Sequence, residues 1–315
     1  MAQAPLTPQQ ESALNLKLHT LVEAGAGTGK TRVLVRRYLA ILRQKKTISP
    51  RQILALTFTE KAAQEMLERI ETFLTETEPS SIEERHRFED IKNQLHLAHI
   101  QTIHSFCAHL LRQYPVESNV DPTFRVIQEE VRTFYWQRAI NDTLNTQLTE
   151  DPDSLIELLT HLPLSQLKKW LNALCSNAHQ IPTPEFRTEH LQNFIQSQPD
   201  IDPTKLESIA LIETQIMGYL NQIHTTYTQW KHQTGSLDFD DLIIKTTQLL
   251  SKPGLCTIIQ KQFPYILVDE CQDTDTDQWT IIKALSAFDP HLGPKSNLFI
   301  VGDVKQSIYA FRGAE

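Results

Sequence analysis

The feature that most constrains this chain is Ala24-Gly-Ala-Gly-Thr-Gly-Lys-Thr31, a glycine loop set between the apolar run Thr20-Leu-Val-Glu-Ala24 and an amphipathic helical pattern reaching about Arg43. A loop that aims backbone N–H groups inward at an anion needs residues that tolerate unusual dihedrals. Three of the nine glycines in the chain (Gly25, Gly27 and Gly29) fall in it. With Ala24, Ala26 and Thr28 they form the cradle, from which Lys30 reaches the β- and γ-phosphates and the Thr31 hydroxyl ligates Mg²⁺. The strict pattern begins on Gly; Ala24 stands there instead and leaves the Gly-Lys-Thr core intact. A strand that feeds such a loop and then a helix belongs in a parallel α/β sheet.

The rest of the chain fits that sheet. Ile53–Phe58, His99–Thr102, Tyr265–Val268 and Leu298–Val301 read as further strands, and Ala62, Ala63, Met66, Leu67, Ile70 and Leu74 recur at helical spacing after the second strand. From about Val116 to Thr234 the strand signal disappears, and Pro182, Pro184, Pro199 and Pro203 interrupt a helical, polar segment. Within it Ile209, Ile212, Ile216, Leu220, Ile223, Tyr227 and Trp230 mark one face of a long helix. The expected architecture is a parallel sheet with helices on both faces, built from residues 1–115 and 235–315 and interrupted by an all-helical insertion at 116–234.

Tyr265–Val268 runs directly into Asp269-Glu-Cys-Gln-Asp273. A buried strand ending in two carboxylates sets them at the carboxyl edge of the sheet, facing the glycine loop. Asp269 then holds magnesium through water, and Glu270 polarises the attacking water as general base.

Net charge gives no help with partners. The formal value is −8, without the bulk basic signal of a nucleic-acid binder. The local basic stretch Lys30, Arg32, Arg36, Arg37, Arg43, Lys45 and Lys46 reads for the most part as a solvated helix face. Cys107, Cys175, Cys256 and Cys271 show neither metal-ligand nor redox spacing and read as reduced thiols. The N-terminus lacks a secretory pattern, and no run approaches the roughly 18 apolar residues of a membrane span. The expectation is a soluble cytoplasmic chain.

Asp269-Glu-x-Gln-Asp273 resembles the corresponding motif of superfamily 1 DNA helicases of the UvrD/Rep group, and Val301–Glu315 is similar to their motif III nearly throughout. By that resemblance Gln306 senses the γ-phosphate, while Tyr309 and Phe311 stack on bases of a bound strand. Such stacking holds single strands without sequence preference, at about 1–3 kcal/mol per base. Leu6-Thr-Pro-Gln-Gln10 resembles the Q motif, in which Gln10 reads the adenine edge. Thr57–Met66 resembles motif Ia, with Phe58 and Thr59 as single-strand contacts, and Thr102–Cys107 resembles motif Ib, with Thr102 and His104 near the DNA backbone. A lone histidine is as readily structural. Leu237-Asp-Phe-Asp-Asp-Leu242 matches a further family signature, in which capping and first-turn acids explain the carboxylates better than a metal site, and Phe239 is another candidate DNA contact. Gly-x-x-Lys-Gln-Ser-Ile-Tyr and Thr-Ile-His-Ser-Phe-Cys lean toward the RecB/AddA helicase–nuclease branch.

The resemblance implies a RecA-like P-loop lobe that uses ATP and Mg²⁺ in a motor moving on single-stranded DNA and unwinding duplex DNA. It also implies 3′-to-5′ polarity, a setting in repair or recombination, and other helicase–nuclease subunits as partners. In the family a second RecA-like lobe follows motif III and supplies arginines to the γ-phosphate; these 315 residues lack it. The polypeptide alone is therefore expected to bind Mg–ATP weakly and turn it over poorly. A fragment is favoured over a gene product interrupted near motif III. Two rival readings are a nucleotide- and strand-binding module without turnover, and another P-loop class such as a kinase or switch. A kinase has no use for the motif III aromatics.

Overall fold

Short runs rich in Leu, Ile and Val bounded by loops pair here into one parallel sheet. The computed structural model describes residues 6–16, 19–25, 28–176, 203–287 and 297–303. The chain divides into two compact units, Met1–Thr123 with Phe239–Glu315, and Phe124–Asp238.

In chain order the first unit begins with a short helix α1 (Pro8–Ser12), strand β1 (Thr20–Glu23), helix α2 (Lys30–Gln44), strand β2 (Ile53–Thr57) and helix α3 (Glu60–Glu76). Helix α4 (Ile82–Gln94), strand β3 (His99–Thr102), helix α5 (Ile103–Gln113) and the turn of helix α6 (Pro115–Ser118) follow. The second unit holds β4 (Arg125–Val126), α7 (Glu129–Glu150), α8 (Pro152–His161), α9 (Leu164–Ser176), α10 (Pro203–Gln233) and β5 (Ser236–Leu237). The chain then returns to the first unit with α11 (Phe239–Leu250), α12 (Pro253–Gln262), β6 (Tyr265–Val268), α13 (Thr276–Ser286) and β7 (Asn297–Gly302).

The five long strands pair in parallel in the order β1-β7-β6-β2-β3, as the strand–helix alternation requires. Interior strand β2 is buried at every position, so it is covered on both faces. On one face Ile53, Ala55, Leu267, Phe299 and Val301 pack with Leu34, Tyr38, Ile41 and Leu42 of α2 and Met66, Ile70 and Phe73 of α3. The alternate residues Leu54, Leu56, Ile266 and Val268 are buried as well. Each fully buried Leu or Ile contributes about 1.5–3 kcal/mol relative to exposure. Because all five strands run the same way, their carboxyl ends share one edge. Two hydrogen bonds extend the ladders past the strands there: Ala24 N donates to Gly302 O at 3.1 Å, and Asp269 N donates to Leu56 O at 2.9 Å.

Helix α2 departs from the solvated face read from its charges. Arg43, Lys45 and Lys46 are exposed, but Lys30 is buried and Arg37 is fully enclosed. The Arg37 guanidinium donates to Ala13 O at 2.8 Å and lies over the Phe299 ring at 5.1 Å. Burial lowers its pKa to about 10.

The helical unit buries Trp136 and Ile140 of α7, Leu155 and Leu158 of α8, Leu167 and Leu171 of α9, and Ile216, Leu220, Ile223 and Tyr227 of α10. The last four lie on the face expected of the long helix, with Ile212 and Trp230 packed partly against the same core. To these helices the unit adds a parallel ladder, Arg125↔Ser236 and Val126↔Leu237, too short to leave a periodicity in sequence. All four cysteines are free thiols. Among the described residues no helix is long and apolar enough to cross a membrane.

Candidate functional site

The carboxyl edge of the sheet gathers most of the residues singled out above. Gly29 ends the glycine loop in the left-handed region, φ 88°, where a side chain would be strained, and caps α2 without a side-chain hydrogen bond. Thr28 folds back on the loop, its hydroxyl donating to Gly25 O at 2.6 Å. Gln10, whose side chain completes a capping box with Thr7 on α1, also donates from Nε2 to Thr28 O at 3.0 Å. Thr31 follows Lys30 in the first turn of α2 and is half-buried. Ala26, Gly27, Gln306, Tyr309 and Phe311 lie outside the described residues.

Lys30 and the carboxylate pair meet although they are far apart in sequence. Lys30 Nζ donates to Glu270 Oε2 at 3.0 Å, with side-chain exposures of 8% and 34%. Glu270 takes φ 50° and ψ 49°, a left-handed backbone that costs a non-glycine residue about 1–3 kcal/mol. That turn directs β6 into the 3₁₀ turn Cys271–Asp273. Asp269 is buried, and its Oδ1 accepts from Glu270 N at 3.1 Å. Burial, then the adjacent Glu270 charge, pushes the Asp269 carboxyl up to about 6, against partial relief from the Glu270 N–H, Lys30 and Arg69. A buried carboxyl kept from its charged form is suited to a dication, which would restore that form. Among the described residues no group of three or more His, Cys, Asp or Glu is arranged to hold a metal by itself. The buried Asp269 carboxyl beside Glu270 could serve Mg²⁺, which takes one or two carboxylates and completes its shell with water and phosphate oxygens.

The positions read as strand contacts flank this pair, and Phe58, Thr102, His104, Asp269 and Glu270 line one cavity. Phe58 is exposed at 41%. Thr59 caps α3, its hydroxyl accepting from Ala62 N at 3.1 Å. Thr102 caps α5 by accepting from Ser105 N at 3.2 Å, and donates to Glu60 Oε1 at 2.7 Å. The His104 ring tilts against Phe239 at 4.9 Å. Burial lowers the His104 pKa, opposed by Asp275, Asp240 and Glu60. Asp240 and Asp241 are first-turn acids of α11, as expected from the sequence. Asp238, the residue before that helix, is buried, paired with Lys231 at 2.9 Å and accepting from Tyr227 Oη at 3.0 Å.

Two further residues belong to this edge. Gln272 and Glu60 both sit inside the motifs quoted above, and their fixed place in those motifs was the available signal. Glu60 Oε1 accepts from the hydroxyls of Thr102 and Ser105, joining the start of α3 to that of α5.

A five-stranded parallel sheet, with a glycine loop between its first strand and first crossover helix and acids at the end of β6, one strand removed from β1, defines a RecA-like P-loop domain. Residues 6–315 match the UvrD/REP helicase N-terminal domain, and the chain belongs to that family. It is 30% identical over 310 residues to the ATP-dependent DNA helicase PcrA of Staphylococcus aureus, covering 98% of this chain and 34% of the relative. It is 30% identical over 308 residues to PcrA of Staphylococcus epidermidis, again covering 98% of this chain and 34% of the relative. The chain thus spans about a third of the length of the curated relatives it matches.

Proposed function

We propose that this chain supplies the ATP-binding half of a DNA helicase motor. The observation that carries the reading is the Lys30–Glu270 contact at 3.0 Å, which joins the glycine loop to an acidic strand end 240 residues away beside buried Asp269. Lys30 moves from Glu270 to the β- and γ-phosphates, and the N–H groups of the 24–31 loop hold their oxygens. Gln10 reads the adenine from its place beside Thr28. Asp269 and Thr31 would hold Mg²⁺, which neutralises phosphate charge when bound. Glu270, released by Lys30, takes a proton from the attacking water. Gln306 reports the γ-phosphate, and Tyr309 and Phe311 grip bases of single-stranded DNA.

Phe58 offers an exposed ring, and Thr59, Thr102 and His104 stand with it at the same edge, on the path of the strand. His104 is kept toward its neutral form by burial, so it contacts the backbone by hydrogen bonding rather than by charge. A second RecA-like lobe closing over ATP would convert turnover into movement on single-stranded DNA and unwinding of duplex, 3′ to 5′, in repair or recombination. The residues 124–238 unit serves as an insertion subdomain. The RecB/AddA leaning, and with it a helicase–nuclease partner, rests on two sequence segments alone.

The test is ATP turnover by the full-length protein with and without single-stranded DNA, alongside Lys30→Ala. DNA-stimulated turnover that Lys30→Ala abolishes is the expected result. Turnover that ignores DNA, or that survives Lys30→Ala, would sink the motor reading; nucleotide and strand binding with no turnover would favour a binding module instead.

A further inference from the structure

Gln272 is a buried polar side chain for which the mechanism above has no task. It lies on the 3₁₀ turn that follows Glu270. Its two ends face different elements: Nε2 donates to Glu270 Oε2 at 2.7 Å, and Oε1 accepts from Asp303 N at 2.9 Å. Asp303 is the first residue past β7 and is itself buried. The turn and the end of β7 are pressed together, for a Cβ on Gly302 would come within 2.8 Å of Gln272 Oε1 and would collide with Cys271 Sγ. Only hydrogen at that position leaves room for the bridge.

The chemistry of the bridge is directional. A primary amide donates at one end and accepts at the other, a carboxylate only accepts, and a thioether does neither to any useful degree. Glu270 stands on a left-handed backbone, so its carboxylate direction is set by its surroundings rather than by local preference. Lys30 also donates to Oε2, but it is the group that phosphate oxygens compete for. When Lys30 turns to phosphate, Gln272 remains on the carboxylate.

We propose that Gln272 is a positioning residue: it holds the Glu270 carboxylate in its working direction and ties it to the backbone at Asp303, so that the base and the carboxyl end of β7 move as one. This rests on the reading of Glu270 as general base. Asp303 precedes Gln306 by three residues, so the same tie links the base to the segment read as γ-phosphate sensor and strand grip.

Two variants of the full-length protein separate the ends of the bridge. Gln272→Glu keeps the acceptor for Asp303 N–H and removes the donor to Glu270; Gln272→Met removes both. The measurements are kcat and KM for ATP with and without a single-stranded oligonucleotide, and the stoichiometry of a bound fluorescent ATP analogue. Both variants should lose about ten-fold in kcat, the scale of one hydrogen bond to a charged group. KM and analogue stoichiometry should hold, and only Gln272→Met should also lose fold-stimulation by DNA. Wild-type kcat in both, while Glu270→Gln is inactive, would overturn the positioning role alone. A fall in analogue stoichiometry matching the fall in kcat would overturn it too, marking Gln272 as a folding residue. An active Glu270→Gln would instead overturn the base assignment, and this proposal with it.

Discussion

Two lysine–carboxylate pairs of almost equal length carry buried charge in the two units, and they are built differently. Lys231–Asp238, at 2.9 Å, is closed: the side chains are 10% and 4% exposed, and Asp238 also accepts from Tyr227 Oη. Lys231 lies over the Tyr227 ring at 4.7 Å, and that ring stacks on Trp136 at 4.2 Å. Lys30–Glu270, at 3.0 Å, is open: Glu270 is about a third exposed and sits on strained backbone, and its neighbour Asp269 is held away from its charged form. Distance alone would rank the two pairs together. Saturation separates them: a closed pair stabilises one packing, whereas a pair with an adjoining buried acid and an open side is ready to exchange partners.

The largest effect should come from breaking the closed pair. Lys231→Met strands a buried carboxylate and should destabilise the helical unit by about 3–5 kcal/mol, whereas Lys231→Met with Asp238→Leu should recover most of the loss. Denaturant unfolding followed by tryptophan fluorescence reads it directly, since Trp136, Trp170 and Trp230 lie in that unit. A single-variant loss below about 1 kcal/mol would put the pair in the class of surface salt bridges and dissolve the contrast.

Breaking the open pair should cost function instead. Lys30→Ala should lower turnover about 10²–10³-fold, the scale of one electrostatic donor withdrawn from a transition state. Its stability should move by under about 1 kcal/mol, because a partly exposed pair is screened by solvent. Equal and large losses of stability in Lys30→Ala and Lys231→Met would mean both pairs are scaffold.

Asp269 sharpens the contrast by its sign. Its folded pKa, about 6, lies above the ordinary 3.8, so between those values the folded state binds more protons than the unfolded one. That acid therefore lowers stability as pH rises from about 4 through about 6. Asp269→Asn should stabilise the nucleotide-free protein at pH 7.5 by about 2 kcal/mol, and the gain should vanish below about pH 4. Asp238→Asn, in the closed pair, should destabilise at the same pH. Thermal melts across pH would check both, and a destabilised Asp269→Asn at pH 7.5 would show that the acid is already compensated.

Much of the α/β unit was legible because its signals are local. Apolar runs gave five strands, the glycine loop gave the strand-to-helix turn, and Asp269-Glu270 at a strand end fixed the acidic edge. What was hidden depends on which strands neighbour each other. The bond from Gln272 to Asp303 exists because β6 pairs with β7, and Glu60 meets Thr102 because β2 pairs with β3. Neither pairing can be read from spacing. Arg37 was misread for a related reason: its charge suggested solvent, but its partners are the Ala13 carbonyl and the Phe299 ring, both distant in sequence. The signature Asp238-Phe-Asp-Asp241 divides at the boundary between units, which made one acid a core partner and left two in the first turn of a helix.

The smallest predicted effect tests a third arrangement, intermediate between the two pairs. Thr102 caps α5 and donates to Glu60, whose same oxygen accepts from Ser105 at 2.6 Å. Losing the cap in Thr102→Ala should cost about 1 kcal/mol. Glu60→Ala leaves the cap and frees the Ser105 hydroxyl to water, while the buried Thr102 hydroxyl loses its acceptor, so its cost should be no more than about 1 kcal/mol. If the three groups act as a unit, the double variant should cost less than the sum by about 0.5 kcal/mol or more. Additivity within a few tenths would mean that Glu60 is a bystander and that Thr102 alone sets the start of α5. Coupling would mean that the two strand-contact segments, at the starts of α3 and α5, are held in register by a carboxylate. In that case Glu60→Ala should also weaken single-strand binding although the change removes a negative charge, and a simple charge effect predicts the opposite sign.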